Sequence, residues 1–142
     1  MELARTEHPK LRFECAEMLE FMMKQQPESL SSVCAFYSVF HLPRIIHPKL
    51  FTAIYESLQP SGSLLLTLTP HASECYENDW LGGSRMYFSQ FSAETYELLL
   101  RDIGFELVAK VIAIFNISFT MPVLIILSLD PATSRSPFPR RK

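Results

Sequence analysis

The sequence predicts an α/β fold in one domain, with parallel strands followed by a terminal antiparallel strand pair. The first observation is an apolar run rich in β-branched and aromatic residues, Ser32–Val39, which is typical of a buried strand. The second is a helical segment that begins at His47 and leads into another apolar run, Ser63–Thr69. Strand, crossover helix and strand form a βαβ unit with parallel pairing. The third is a pair of consecutive apolar runs, Glu106–Phe115 and Phe119–Leu129, which we expect to pair antiparallel.

The N-terminal part predicts two short helices with a strand between them. Met1–Arg5 consists of good helix formers, and Pro9 ends the run. Leu11–Cys15 alternates apolar and polar residues, which indicates a short strand. Glu17–Lys24 predicts a short helix that precedes a turn-like segment.

The central part predicts one strand and one helix in detail. Because Ser32–Val39 is apolar almost throughout, we expect a strand that is buried on both faces. Pro48 lies in the first turn of the helix, where the N–H that proline lacks would have no partner. The apolar residues of this helix form a single stripe: Leu50, Phe51, Ile54, Tyr55 and Leu58. The turn Gln59–Gly62 ends the helix.

Residues 70–91 predict a long polar and aromatic connection, with Gly82 and Gly83 near its centre. A loop of this length in a small domain is usually either functional or disordered. Ser92 caps the helix that follows, and Gly104 is placed to end it in a left-handed conformation. The apolar face of this helix is formed by Tyr96, Leu99, Leu100 and Ile103.

The apolar stretch 105–129 also allows an interpretation as a membrane span. Its uncharged part, Val111–Leu129, is nineteen residues long, which is enough to cross a bilayer. The many β-branched residues and the break at Phe115–Phe119 favour two core strands instead. Residues 130–142 are rich in Pro, Ser and Arg and predict a disordered tail, so that the domain comprises residues 1–129.

Composition excludes several classes of function. Of the 142 residues, 48% are hydrophobic, which predicts a packed core rather than a disordered chain. The basic tail carries a net charge of +3 and leaves −5 on residues 1–129, so an acidic body disfavours nucleic acid as a partner. No glycine-rich nucleotide-binding motif of the G-x-G-x-x-G or G-x-x-x-x-G-K-[ST] kind occurs.

Cysteine and histidine spacing gives no sign of a metal centre. The three cysteines are widely spaced, which indicates free thiols in a reducing compartment, and we expect a cytoplasmic protein without a secretory signal. His8, His47 and His71 are too scattered to suggest metal ligands.

Several strings resemble those of class I S-adenosylmethionine-dependent methyltransferases, in the order in which that family has them. Val33–Pro43 resembles the family's fourth strand and the loop after it, written D-x-V-x-A-x-x-S-x-x-H-L-P. Leu58–Leu66 is similar to the turn L-x-P-G-G-x-L-L-L, and Leu99–Glu106 to L-L-x-x-A-G-F-E. Upstream, Phe13–Met18 resembles the third strand, which ends in A-D-M, and Met1–Arg5 resembles the helix after the second strand.

The resemblance implies a fold, a cofactor and a set of candidate residues. The fold is the C-terminal portion of a Rossmann-like sheet, with the fourth, fifth, seventh and sixth strands side by side. The cofactor is S-adenosylmethionine, and the acceptor is a small molecule, of the kind made in secondary metabolism. Asp79–Gly82 and Met86–Phe91 look like the loop that covers the acceptor pocket.

Four residues are candidates for cofactor binding. By resemblance, Glu17 would accept a hydrogen bond from the adenine amino group, and Met18 would pack against the adenine ring. Phe36 and Ser38 follow the fourth strand, where open α/β sheets bind ligands, and could line the methionine end of the cofactor. The alternatives are an exposed glutamate, a core methionine and simple packing at the strand end.

The candidate catalytic residue is His41, because an imidazole can orient a substrate or accept its proton. The alternative is a structural histidine in a tight turn. The candidate acceptor-binding residues are Trp80, Met86, Tyr87 and Phe88, which could instead cover the sheet edge. Methyl transfer depends mainly on proximity, orientation and exclusion of water, so the absence of a metal motif does not count against it.

The departures from the family pattern shape the functional hypothesis. The first strand, the glycine-rich cofactor loop and the second strand of the family have no counterpart in this sequence. Without them, one edge of the fourth strand is exposed and invites pairing. Either the gene model is truncated, or a second chain supplies the missing half, or the product is marginally stable. Two smaller departures are Glu17, where the family has Asp, and Ser31, where it has an acidic residue.

Three hypotheses of different classes therefore stand. The first is a fragment of a small-molecule methyltransferase, and the second is a non-catalytic protein that pairs through its sheet edge with a partner subunit or with a second copy. The third is a small membrane-associated protein that uses residues 105–129.

Overall fold

The computed structural model describes residues 1–80, 82–112 and 123–129. The α-helices are α1 (Glu2–Glu7), α2 (Met18–Met23), α3 (His47–Ser57) and α4 (Ala93–Ile103). The strands are β1 (Leu30–Ala35), β2 (Leu58–Leu68), β3 (Ser73–Trp80), β4 (Ser84–Gln90), β5 (Phe105–Ile112) and β6 (Val123–Leu129). Two short 3-10 turns, Val39–His41 and Arg44–Ile46, lie between β1 and α3.

Four strands form one sheet in the order β1-β2-β6-β5. Strands β1 and β2 are parallel, with Val33 opposite Leu64 and Ala35 opposite Leu66. Strand β6 pairs antiparallel with both β2 and β5. The predicted βαβ unit and the terminal antiparallel pair are both confirmed, and so is the strand order that the family resemblance implies.

The core lies between the sheet and the helices α2, α3 and α4. From β2, Leu64, Leu66 and Leu68 are fully buried, and each contributes about 1.5–3 kcal/mol through burial. The helices contribute buried side chains to the same cluster: Met22, Leu50, Phe51, Ile54, Tyr96 and Leu100. The apolar stripe predicted on α3 is therefore the face that packs against the sheet, except that Leu58 belongs to β2, which begins there. The turn predicted over Gln59–Gly62 is wrong, because β2 runs through it.

The ends of α4 follow from local sequence signals. The Ser92 side-chain oxygen accepts a hydrogen bond from the backbone N–H of Thr95 at 3.3 Å, as expected for an N-cap. Gly104 ends the helix in the left-handed region, at φ 118°. A Cβ at Gly104 would lie 2.8 Å from the Tyr55 hydroxyl oxygen, so glycine is needed for space as well as for φ.

Of two strand predictions in the N-terminal half, one is wrong and the other is wrong in part. Leu11–Cys15 forms no strand, because none of the strands in the described residues runs beside it and alternation alone cannot supply a hydrogen-bonding partner. The strand predicted over Ser32–Val39 is β1, which ends at Ala35. It is not buried on both faces, since Ser32 and Cys34 are exposed.

The connection predicted over residues 70–91 is instead a β-hairpin. Strands β3 and β4 pair antiparallel, with Cys75 opposite Phe88 and Tyr76 opposite Tyr87. Gly82 and Gly83 lie between the strands with φ of 94° and 135°, values that favour glycine. Cross-strand aromatic pairs stabilise such a hairpin. The polar composition of the segment does not predict which residues lie opposite each other.

The apolar stretch near the C-terminus contains strands β5 and β6 rather than a helix. No helix within the described ranges is long and apolar enough to cross a membrane. Residues 113–122 and the tail 130–142 lie outside the described residues, so the disordered tail and the domain boundary at residue 129 stay predictions.

Candidate functional site

The candidate site lies beyond the C-terminal ends of the parallel strands β1 and β2. Open α/β sheets bind ligands at this end of their strands. The chain leaves β1 through Phe36, which is 50% exposed, and Tyr37, which has a φ of 49°. A tyrosine in the left-handed region costs about 1–3 kcal/mol, and strain of this kind concentrates at functional sites.

His41 is fixed in one tautomer by the hairpin. Its Nδ1 lies 3.0 Å from the backbone carbonyl oxygen of Tyr87. Because a carbonyl oxygen can only accept, Nδ1 carries the hydrogen and donates it. In the neutral form of the ring, the lone pair then lies on Nε2, for which the described part of the chain provides no hydrogen-bond partner. His41 is therefore oriented as a proton acceptor.

Four rings form what we call the aromatic cluster: Phe40, His41, Trp80 and Phe88. Phe40 and Phe88 are stacked with ring centroids 5.7 Å apart, and His41 lies 4.9 Å from Phe88. Trp80 meets Phe88 edge-on at 5.1 Å. The cluster joins the turn after β1 to both strands of the hairpin. Phe40, whose ring is buried, was not named among the sequence candidates.

A polar pair beside the cluster was also missed by the sequence. Arg44 forms an ion pair with Glu74 at 3.1 Å, and the Tyr87 hydroxyl donates to Glu74 at 2.7 Å. The backbone N–H of Arg44 donates to the Ser89 hydroxyl at 2.9 Å. Arg44 follows the His-Leu-Pro string directly, so its position was the available signal. These contacts fix the hairpin against the turn that carries His41.

Below this turn, His47 and Tyr96 form a buried hydrogen-bonded pair. His47 Nε2 donates to the Leu42 carbonyl oxygen at 3.0 Å, and its Nδ1 accepts from the Tyr96 hydroxyl at 2.8 Å. Burial lowers the pKa of His47 below 6.5 and raises the pKa of Tyr96 to about 12. Both side chains are therefore neutral near neutral pH, and the pair supports the Leu42 backbone one residue after His41.

The proposed cofactor residues lie in two separate places. Glu17 is exposed at the start of α2 and makes no side-chain hydrogen bond or ion pair to the described residues. Met18 lines an open cleft of about 1060 Å³, which also has Arg5 and Arg12 in its wall. Phe36 and Ser38 do not line this cleft and lie instead in the segment between β1 and the Val39–His41 turn.

The structure thus brings some of the sequence candidates together and not others. His41, Trp80, Tyr87 and Phe88 are joined by the contacts given above. Met86 lies opposite Glu77 on the hairpin and is half-buried. Glu17 and Met18 have no contact with this group among the contacts described. No group of three or more His, Cys, Asp or Glu side chains that could hold a metal occurs in the parts of the chain described.

Comparisons with known proteins identify the fold and nothing finer. No protein-family model matches the sequence, and no curated protein matches it. Solved structures do match the described fold. One is a SAM-dependent methyltransferase from Methanosarcina mazei, with a TM-score of 0.69 and 12% identity over 84% of this chain and 67% of that chain.

Two further solved structures show the range of activities on this fold. The 1,6-didemethyltoxoflavin-N1-methyltransferase of Burkholderia thailandensis, solved with 1,6-didemethyltoxoflavin and S-adenosylhomocysteine bound, has a TM-score of 0.69 and 12% identity, over 91% of this chain and 55% of its own. The 4+2 cyclase SpnF has a TM-score of 0.68 and 12% identity, over 91% of this chain and 60% of its own. The chain thus spans between about half and two thirds of the lengths of these three structures.

Proposed function

Because the chain has the fold of class I SAM-dependent methyltransferases, we propose that it takes part in methyl transfer from S-adenosylmethionine to a small-molecule acceptor. The observation that carries this proposal is the orientation of His41, whose Nε2 lone pair is free beside the aromatic cluster at the end of β1. A fold alone does not determine the reaction, so the proposal depends on this site.

In this proposal, the residues at the start of α2 and at the end of β1 would hold the two ends of the cofactor. The unpaired carboxylate of Glu17 can accept from an adenine amino group, and Met18 offers an apolar surface in the neighbouring cleft. Phe36 and Ser38 would lie along the methionine end. When bound, S-adenosylmethionine supplies an electrophilic methyl group that an in-line nucleophile can take.

On the acceptor side, the role of His41 is to take a proton. An O–H or N–H acceptor loses its proton as it becomes methylated, and Nε2 of His41 can receive that proton. The hydrogen bond from Nδ1 to Tyr87 holds the ring while this happens. Trp80, Met86, Tyr87 and Phe88 would form the wall that binds the acceptor and excludes water. The small molecule bound in the toxoflavin methyltransferase structure supports a small-molecule acceptor.

Two binding measurements and one rate measurement test the proposal. Isothermal titration with S-adenosylmethionine should show saturable binding, and Glu17→Ala should weaken it. Trp80 is the only tryptophan, so its fluorescence should change when phenolic or heteroaromatic acceptors bind. His41→Asn keeps an N–H near the Nδ1 position but removes the Nε2 base.

We expect His41→Asn to lower kcat/KM about a hundredfold or more without changing cofactor affinity. The exposed His71 provides the matched control, and His71→Asn should leave the rate unchanged. Equal rates for His41→Asn and the wild type would refute the assignment of His41.

A second function, a non-catalytic partner subunit, is favoured by the open edge of β1. Absence of heat at about millimolar S-adenosylmethionine would favour this function over autonomous catalysis. We also propose a cytoplasmic location, supported by the three exposed free thiols of Cys15, Cys34 and Cys75.

A further inference from the structure

Strand β1 ends the sheet with one side unpaired. Among the described strands, its backbone pairs only with β2. Within the described ranges, no other backbone hydrogen bond involves residues 30–35. Alternate N–H and C=O groups of β1 therefore point away from the sheet, and such an edge is a template for a further strand.

The sequence around β1 lacks charge and proline, two of the features that usually protect an edge, although the register of β1 with β2 is irregular between Leu30 and Ser32. Residues 29–43 contain no Lys, Arg, Asp or Glu, and β1 contains no proline. Ser32 and Cys34 are exposed along the strand, and Phe36 and Tyr37 continue this surface as half-exposed aromatic side chains. Natural edges are normally blocked by charge, proline or a bulge.

We propose that a second copy of this chain pairs with β1, so that two sheets join across a two-fold axis. The edge offers both donors and acceptors to an identical strand, and an antiparallel two-fold arrangement satisfies both copies equally. Because residues 29–43 carry no formal charge, no like charges oppose each other along the paired strands. This inference does not depend on the proposed methyl transfer.

The two-fold symmetry fixes which residues face each other. Residues opposite each other in an antiparallel pair point to the same face, so the axis must pass midway between two copies of the same residue. An axis between the two copies of Val33 places Ser32 of one copy opposite Cys34 of the other. The pairing of two copies continues the sheet to eight strands.

Sedimentation equilibrium over a concentration series tests the proposal. The wild type should be a dimer that dissociates on dilution. Ser32→Lys places two ammonium groups within the paired edge and should raise the dimer Kd at least a hundredfold. The matched control is Val108→Lys on β5, which is 61% exposed and should leave the Kd unchanged.

A cross-linking variant tests the pairing of β1 with a second copy without adding a charge. In a background with Cys15 and Cys75 changed to Ser, Ser32→Cys should form a disulfide with Cys34 of the second copy under mild oxidation, because opposed strand residues lie within disulfide reach. Val108→Cys in the same background should not link. A wild type that is monomeric at every concentration, or equal Kd values for Ser32→Lys and wild type, would overturn the proposal and leave the edge to a strand of another polypeptide.

Discussion

The two edges of the four-stranded sheet differ in charge. On one side, β1 is uncharged, with Ser32 and Cys34 exposed, and its register with β2 is irregular between Leu30 and Ser32. On the other side, β5 carries Glu106 and Lys110, and its pairing with β6 is interrupted by a bulge between Leu107 and Ala109. Because both edge strands have a register irregularity, the contrast between them lies in charge, which is a usual means of keeping an edge from pairing. The difference indicates that β5 is suited to solvent, whereas β1 is suited to a neighbouring strand.

The two edge strands also differ in their relation to the candidate site. Parallel strand β1 leads into the turn with His41, so its open edge lies next to the candidate site. Strand β5 follows α4 and has no sequence candidate on it. A partner at β1 would therefore be able to influence the site, while the environment of β5 would not.

The largest expected effect comes from removing the protection of β5. Glu106→Val with Lys110→Val takes both charges off that edge. If both edges can then pair with their own copies, the symmetry no longer closes and the chain should form long assemblies. Light scattering and electron microscopy measure this. Adding Ser32→Lys should limit the assemblies to dimers, and assemblies that persist unchanged would show that β1 takes no part.

A second variant separates stability near β5 from pairing at β1. In Gly104→Ala, the alanine would have to adopt a positive φ, and its Cβ would lie 2.8 Å from the Tyr55 hydroxyl oxygen. We therefore expect the free energy of unfolding to fall by about 2 kcal/mol or more. Gly83→Ala also has positive φ but meets open space, and it isolates the backbone contribution. Urea unfolding measures both, and the dimer Kd should not change in either variant.

The third prediction uses pH to distinguish folding from pairing. The folded-state pKa of His47 lies below 6.5 because the ring is buried, so the unfolded chain binds a proton more readily. The stability that depends on His47 being neutral is fully present above pH 6.5, and it is lost as the pH falls through the lowered pKa of His47. The free energy of unfolding should thus fall on acidification, and His47→Gln should flatten the dependence. The pairing edge Leu30–Ala35 has no acidic, basic or histidine side chain, so pairing itself should be insensitive to acid.

The smallest effect is expected for the ion pair on β5. Lys110 pairs with Glu97 of α4, and both side chains are partly exposed. Glu97→Gln should cost about 0.2–1 kcal/mol in urea unfolding. Because Lys110 stays charged, the oligomeric state should not change. A new assembly in this variant would mean that the ion pair, rather than the charge, keeps β5 from pairing.

Much of the fold could be predicted because its signals are local. Pro48 sets the start of α3, while Ser92 and Gly104 set both ends of α4, through contacts within a few residues. Apolar runs separated by a helix of this length also predict the parallel pair β1 and β2. For the site, motif resemblance led to His41 and to the hairpin aromatics, but it gave no contact between them.

The rest was decided by tertiary structure, because it depends on which distant residues meet. Leu11–Cys15 has the alternation of a strand but no neighbour, whereas residues 73–90 look like a polar connection and become a hairpin through cross-strand pairs. The orientation of His41 requires the Tyr87 carbonyl, forty-six positions away. The sequence by itself determined that β1 is uncharged. Only the strand order showed that β1 lies at an open edge, since an edge is defined by the strands beside it.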